Sequence, residues 1–120
     1  MIIAIPMTEI RPGKLTDYPQ LVAYDEFIGD RRQDFQAGGI TVADQDGQIA
    51  VAYMHIESAA FLGWPLLARI RVHPEHRRCG LGLRLVEAAM HDARHPRLYA
   101  TSEQSNIPMQ TLLGRAGARP

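Results

Sequence analysis

The spacing of apolar and polar positions changes several times along this chain, and each change marks an element. Glu9-Ile10-Arg11-Pro12 reads as a short strand, after which Thr16 or Asp17 caps a helix whose apolar face includes Leu21, Val22 and Phe27. The polar run from Asp30 to Gln36 predicts a second, shorter helix that ends at Gly38-Gly39. Ile40 to Asp44 and Gln48 to Glu57 are two strands joined at Asp44-Gln45-Asp46-Gly47, where Asp-Gly supplies the positive φ angles of a tight hairpin. Leu66 to His73 is the next strand. From Gly80 to about Ala93 the period becomes helical, with Leu85, Val86, Ala89, Met90 and Ala93 in one broad stripe, and His95-Pro96 breaks it. Leu98 to Thr101 is a further strand. Asn106 opens a last helix to about Arg115, with Pro108 tolerated in its first turn. The order β-α-α-β-β-β-α-β-α predicts an α/β fold, a mixed sheet flanked by helices.

The most telling segment joins a strand to a helix: Val72-His73-Pro74-Glu75-His76-Arg77-Arg78-Cys79-Gly80-Leu81-Gly82. Pro74 ends the strand's ladder, and Gly80 and Gly82 let the backbone come close to a ligand and turn successive N–H groups toward it. Such donors at a helix N-terminus suit phosphate. Two common phosphate loops fail against this spacing. No Gly-Lys-Ser/Thr follows, and the only lysine is Lys14; the dinucleotide fingerprint needs a third glycine where Leu85 stands.

The segment resembles motif A of the GNAT superfamily of acetyl-CoA-dependent N-acetyltransferases, Val-x-Pro followed after two spacers by Arg/Gln-x-x-Gly-x-Gly/Ala. Val72, Pro74, Arg77, Gly80 and Gly82 fall in register, and the resemblance extends over about residues 9 to 118, closing on Asn-x-x-Met-x-x-Leu-Leu-x-x-x-Gly. It implies acetyl-CoA as cosubstrate, with the backbone of Arg77, Arg78, Cys79, Gly80, Leu81 and Gly82 around its diphosphate. It also implies Val72 pairing with the pantetheine arm in a gap beside the Leu98 to Thr101 strand, and Asn106 touching the arm or a bridging water. An N-cap role for Asn106 is compatible with this. The family continues with two more strands after its last helix, so the resemblance implies a single domain over residues 1–120 that lacks them. The uncovered edge of Leu98 to Thr101 then predicts a homodimer, by strand exchange, or a truncated form with an incomplete acceptor site.

Composition narrows the classes. With 120 residues, 46% hydrophobic and 22% charged, the chain is long enough for one core and has no apolar run of membrane-spanning length, which argues against a membrane partner. The start lacks a basic region before its short apolar stretch, and a single cysteine, Cys79, excludes an internal disulfide; both fit the cytoplasm. Formal net charge is zero, yet residues 1–64 carry 4 basic and 9 acidic side chains and residues 65–120 carry 9 and 4. The basic half holds the glycine turn, which suits an anionic cofactor, whereas nucleic acid would call for a denser basic stripe.

Catalytic candidates are sparser. Family members often carry a tyrosine in the last helix to protonate the leaving thiolate, where Leu113 stands here. Some carry a basic glutamate in the stretch occupied here by Leu66, Leu67 and Ala68. Glu103 and Glu57 are the leading candidates for moving a proton through water, with His55 and Tyr53 on one strand face with Glu57. Arg69 and Arg71 share a strand face, where two guanidinium groups are costly unless paired. They pair with Glu57 or another carboxylate across the sheet, or they bind a substrate carboxylate on the acceptor, a small amine or a peptide. Phe61-Leu62-Gly63-Trp64-Pro65 reads as an apolar hairpin loop that lines the acceptor pocket, forms a subunit interface or folds onto the core. His91 and His95 have metal-like spacing but no third ligand beyond Asp92, so no metal is expected. Cys79 sits at a variable motif position and reads as a spacer. The competing reading from another class is a non-catalytic acyl-CoA-binding or regulatory module.

Overall fold

The computed structural model describes residues 1–102 and 106–119. Its sheet runs in the order β1 (Thr8–Pro12), β2 (Ile40–Gln45), β3 (Ile49–Phe61), β4 (Trp64–Val72) and β5 (Tyr99–Ala100). The first four strands are antiparallel neighbours, and β5 is parallel to β4. A parallel neighbour needs a crossover, here supplied by α3 (Leu81–Met90). α1 (Tyr18–Tyr24) and α2 (Arg32–Gln36) connect β1 to β2, and α4 (Ile107–Arg115) follows β5. Among the described residues, no helix is long and apolar enough to cross a membrane.

The sheet is covered on both faces because β3 is apolar on both. Ala52, Met54 and Ile56 join Leu67, Leu81, Leu85, Val86 and Ala89 in one core cluster. Tyr53 joins Leu21, Ile28, Phe35, Ile40 and Val42 in the other. The β2–β3 hairpin turns at Asp46 (φ 58°) and Gly47 (φ 70°), closed by the Gln48 N–H on the Gln45 carbonyl at 3.1 Å. Both positive angles follow from the Asp-Gly pair that the sequence carries.

Several local expectations change in context. Leu21 is fully buried, but Val22, one position on in α1, is turned off the buried face and 47% exposed, and Phe27 is 76% exposed because α1 ends at Tyr24 before a second apolar turn can form. Asp17 occupies the N-cap position without a side-chain cap bond. Its carboxylate is taken by the Arg11 guanidinium at 2.8 Å on both oxygens and by the Lys14 N–H at 2.7 Å. α3 stops at Met90, which is 49% exposed, so Met90 and Ala93 do not complete the buried stripe. The Leu98 to Thr101 strand shortens to Tyr99–Ala100.

Candidate functional site

β4 and β5 are paired only at Leu66 with Tyr99 and at Leu67 with Ala100. Beyond that point β5 has ended, and β4 runs on from Ala68 to Val72 with that edge uncovered by β5. On its other edge β4 faces β3, where His55 pairs with Arg69 and Ile56 with Leu67. Ala68 is therefore the extra residue of a bulge, the device that re-aims backbone groups next to a site. Two adjoining cavities of about 590 and 550 Å³ occupy the gap. They share Ile70, Asn106 and Met109, so together they form one cleft from Ala68 to Gly82.

The glycine turn closes the far end of this cleft. The β3–β4 ladder extends to the His73 N–H on the Val51 carbonyl at 2.8 Å, and Pro74 then opens a single 3₁₀ turn to His76. Arg77 is extended, while Arg78 (φ 65°) and Gly80 (φ 74°) are left-handed, and α3 begins at Leu81. Such an alternation at a helix N-terminus is the backbone form that can turn successive amides toward an anion. Val72, Arg77, Arg78 and Gly82 line the cleft. The Leu81 side chain is buried in the core, so only its backbone is available, and Cys79 is exposed.

Asn106 starts the opposite wall. Its Oδ1 accepts the Met109 N–H at 3.1 Å, an N-cap, and the residue lines both cavities. Asn106→Ala should cost about 1 kcal/mol of stability. Asn106→Ser should keep the cap and the melting temperature but lose the amide donor, so any fall in ligand affinity in that variant reports the cleft role alone. Equal affinity in Asn106→Ser and the unaltered chain would leave Asn106 as a cap only.

Arg69 and Arg71 have different partners. Arg69 donates from Nε and Nη2 to Asp25 at 2.7 and 2.5 Å, and from Nε to the Tyr53 hydroxyl at 2.9 Å. The Tyr53 hydroxyl also donates to Asp25, whose side chain is fully buried. Burial opposes ionisation of Asp25, yet the Arg69 and Tyr53 hydrogen bonds and the Arg69 charge hold its carboxyl below the ordinary value. Burial first, then the Asp25 hydrogen bond and charge, push the Tyr53 phenol up, so it stays protonated and is no ready base. The expected pairing with Glu57 does not form: Glu57 lies opposite Leu66, while Asp25 arrives from the end of α1. Both arginines line the cleft, Arg69 beside Ala68 and Arg71 beside Arg77 and Arg78.

The other candidates lie elsewhere. Glu57 is exposed and lines a separate cavity of about 510 Å³ with Asp34, Gly38, Arg94 and His95, which has no lining residue in common with the cleft. His55 is buried and bonded through Nε2 to Asp34 at 3.0 Å. Glu103 lies outside the described residues. Leu62, at 87% exposure, tips a hairpin that does not fold onto the core; the Phe61 ring packs at a tilt against Tyr99, with centroids 4.6 Å apart, and Arg97 covers the Trp64 ring at 4.7 Å. No group of three or more His, Cys, Asp or Glu side chains able to hold a metal occurs among the described residues. Sequence reasoning missed Asp25. Its only signal was an acidic residue directly after a helix that must pack on the sheet.

The family model of the acetyltransferase (GNAT) family matches residues 7–118, almost the whole chain. The chain belongs to the GNAT acetyltransferase family. Among curated proteins it is 32% identical over 89 residues to a mycothiol acetyltransferase of Segniliparus rotundus, a match covering 74% of this chain. The chain spans about a third (33%) of the length of that relative. A GNAT family acetyltransferase from Bacillus cereus superposes with a TM-score of 0.77 at 21% identity, over 92% of this chain and 82% of the other. An AAC(6′)-Iy structure in complex with a CoA-based bisubstrate analogue superposes with a TM-score of 0.73 at 15% identity, over 95% and 92%. At these identities the superpositions establish the GNAT fold.

Proposed function

We propose that this chain binds acetyl-CoA in the β4–β5 cleft and transfers the acetyl group directly to a primary amine of a small molecule or peptide. The observation that carries this reading is the parting of the two strands beside a glycine-opened helix N-terminus. The residues fit the cosubstrate. The uncovered β4 edge offers main-chain partners to an extended amide-bearing arm, the amides of 77–82 suit a diphosphate, and Gly82 keeps the wall open. Bound there, the thioester supplies an activated acyl carbon. The Ala68 bulge lies at the closed end of the gap, where a main-chain N–H can stabilise charge on the acyl oxygen.

Proton handling follows from the lining. The described residues around the cleft include four arginines, Arg69, Arg71, Arg77 and Arg78, with Thr101, Ser102 and Asn106, but no carboxylate or imidazole. With the described lining alone, the amine would arrive neutral and its nitrogen would lose a proton to water after attack. As its nitrogen bonds the acyl carbon, the carbon–sulfur bond breaks and the thiolate takes a proton from solvent. Glu103, which follows two lining residues in sequence, is our proposal for accepting the amine proton. Among the described residues β5 pairs only with β4, which supports a homodimer formed through that strand.

Titration with acetyl-CoA, following thermal unfolding and native mass together, tests this reading. At a hundredfold excess over Kd the folded state should gain about 2.7 kcal/mol, a shift of several degrees in Tm. Thiol release with a panel of amines then tests transfer. Absence of any stabilisation by acetyl-CoA would overturn the cofactor assignment. Stabilisation without thiol release would instead favour the non-catalytic acyl-CoA-binding module, a reading supported by Leu113 packing against the core rather than offering a hydroxyl.

A further inference from the structure

Two arginines two positions apart on one strand face have been given opposite environments. Arg69 is neutralised by Asp25, which has no capacity left for a second guanidinium. Arg71 faces Tyr53 across the strand pair, but the Tyr53 hydroxyl is already committed to Asp25 and Arg69. The Arg71 Nε is buried and has no hydrogen-bond partner among the described residues. A buried donor of this kind is costly, more so on a charged group, unless something else satisfies it.

An anion would satisfy this group. Arg71 lines the same cavity as Arg77, Arg78 and Gly82, at the N-terminal end of α3, and no carboxylate lines it among the described residues. Guanidinium groups bind phosphate in a bidentate fork, and a helix N-terminus adds to the same positive potential. Position along the strand separates the two anions the site could meet. Arg71 is three residues from the Ala68 bulge, about 10 Å at the rise of an extended strand. That places it toward the glycine turn and away from the Ala68 bulge at the closed end of the gap.

We propose that Arg71 is a donor-specificity residue, binding the diphosphate of CoA together with the glycine turn. The proposal rests on the cleft being the acetyl-CoA site. It makes the chain dependent on a donor that carries the diphosphate and poor at using an acyl-pantetheine that lacks it. The acceptor is left to other groups.

Arg71→Met removes the charge and keeps the length. Calorimetric titration should show CoA and 3′-dephospho-CoA weakened alike, by about ten- to hundredfold. The KM for S-acetylpantetheine and for the amine should be unchanged. Arg71→Lys, which keeps the charge but not the fork, should fall between. Without ligand, the melting temperature of Arg71→Met should be no lower than that of the unaltered chain, because the buried Nε has no partner among the described residues to lose. A role in holding the fold predicts the opposite.

Unchanged CoA affinity in Arg71→Met overturns the proposal while the cofactor reading stands. So does a rise in the amine KM alone, which would assign Arg71 to an acceptor carboxylate, or a loss confined to CoA, which would assign it to the 3′-phosphate. If the unaltered chain binds neither CoA nor 3′-dephospho-CoA, the cofactor reading fails and this proposal fails with it.

Discussion

Gly82→Leu is expected to abolish acetyl-CoA binding while leaving a folded protein. A Cβ at Gly82 would lie 3.3 and 3.7 Å from the two methyl carbons of Leu112 and 3.8 Å from the Ile70 Cδ1. Both neighbours are side chains that line the cleft, so the wall can give slightly and alanine should be accommodated. Three further carbons have nowhere to go but the cleft itself. The expected loss of affinity is about a hundredfold or more, equivalent to about 2.7 kcal/mol. Gly80 acts differently. Nothing lies within 4 Å of its Cβ position, but its φ is +74°. Gly80→Ala should therefore cost about 1–2 kcal/mol through the backbone and loosen the amides rather than block the space. Titrating both variants with acetyl-CoA while following unfolding separates the two effects. Retained affinity in Gly82→Leu would show that the ligand does not use this wall.

Asp25→Asn should be the most destabilising single change of a polar side chain. Asp25 is fully buried, and removing its charge leaves the Arg69 guanidinium and the Tyr53 hydroxyl without their anion. Breaking a buried pair costs about 3–5 kcal/mol; the lower end applies here, because the Arg69 side chain is 35% exposed and water screens part of its charge. The double variant Asp25→Leu with Arg69→Met should cost less than the sum of the two single changes, since it removes both charges together. Urea unfolding of the four proteins measures this coupling. The pH dependence has the same origin. A carboxyl whose folded value lies below its unfolded value contributes stability that is complete above the unfolded value and is lost as pH falls through the folded one. Asp17 is shifted the same way: burial opposes it, and Arg11 and Lys14 outweigh the burial. Stability should hold down to about pH 4–5 and fall below that. Asp25→Asn should flatten the curve there.

What could be read before the chain was folded was local in origin. The helical period after Gly80, the Asp46-Gly47 turn and the Pro74, Gly80 and Gly82 spacing each depend on residues within a few positions of one another. Backbone angles and face periodicity are set at that range. The family motif is of the same kind, a contiguous strand, turn and helix.

Other features depended on residues far apart in the chain. Phe27 continues an apolar pattern, but its burial required the helix to continue, and it ends at Tyr24. The two arginines of β4 are equivalent by spacing. Both line the cleft, but Asp25, forty-four positions before Arg69, neutralises only that one. Glu57 was drawn to the site by strand alternation, yet the sheet places it on a separate cavity. The cleft itself exists because β5 stops after two paired residues while β4 runs on. No local pattern encodes where two distant strands part. Packing of α3 and α4 against one face and α1 against the other decides it, through contacts that form only once the chain has folded.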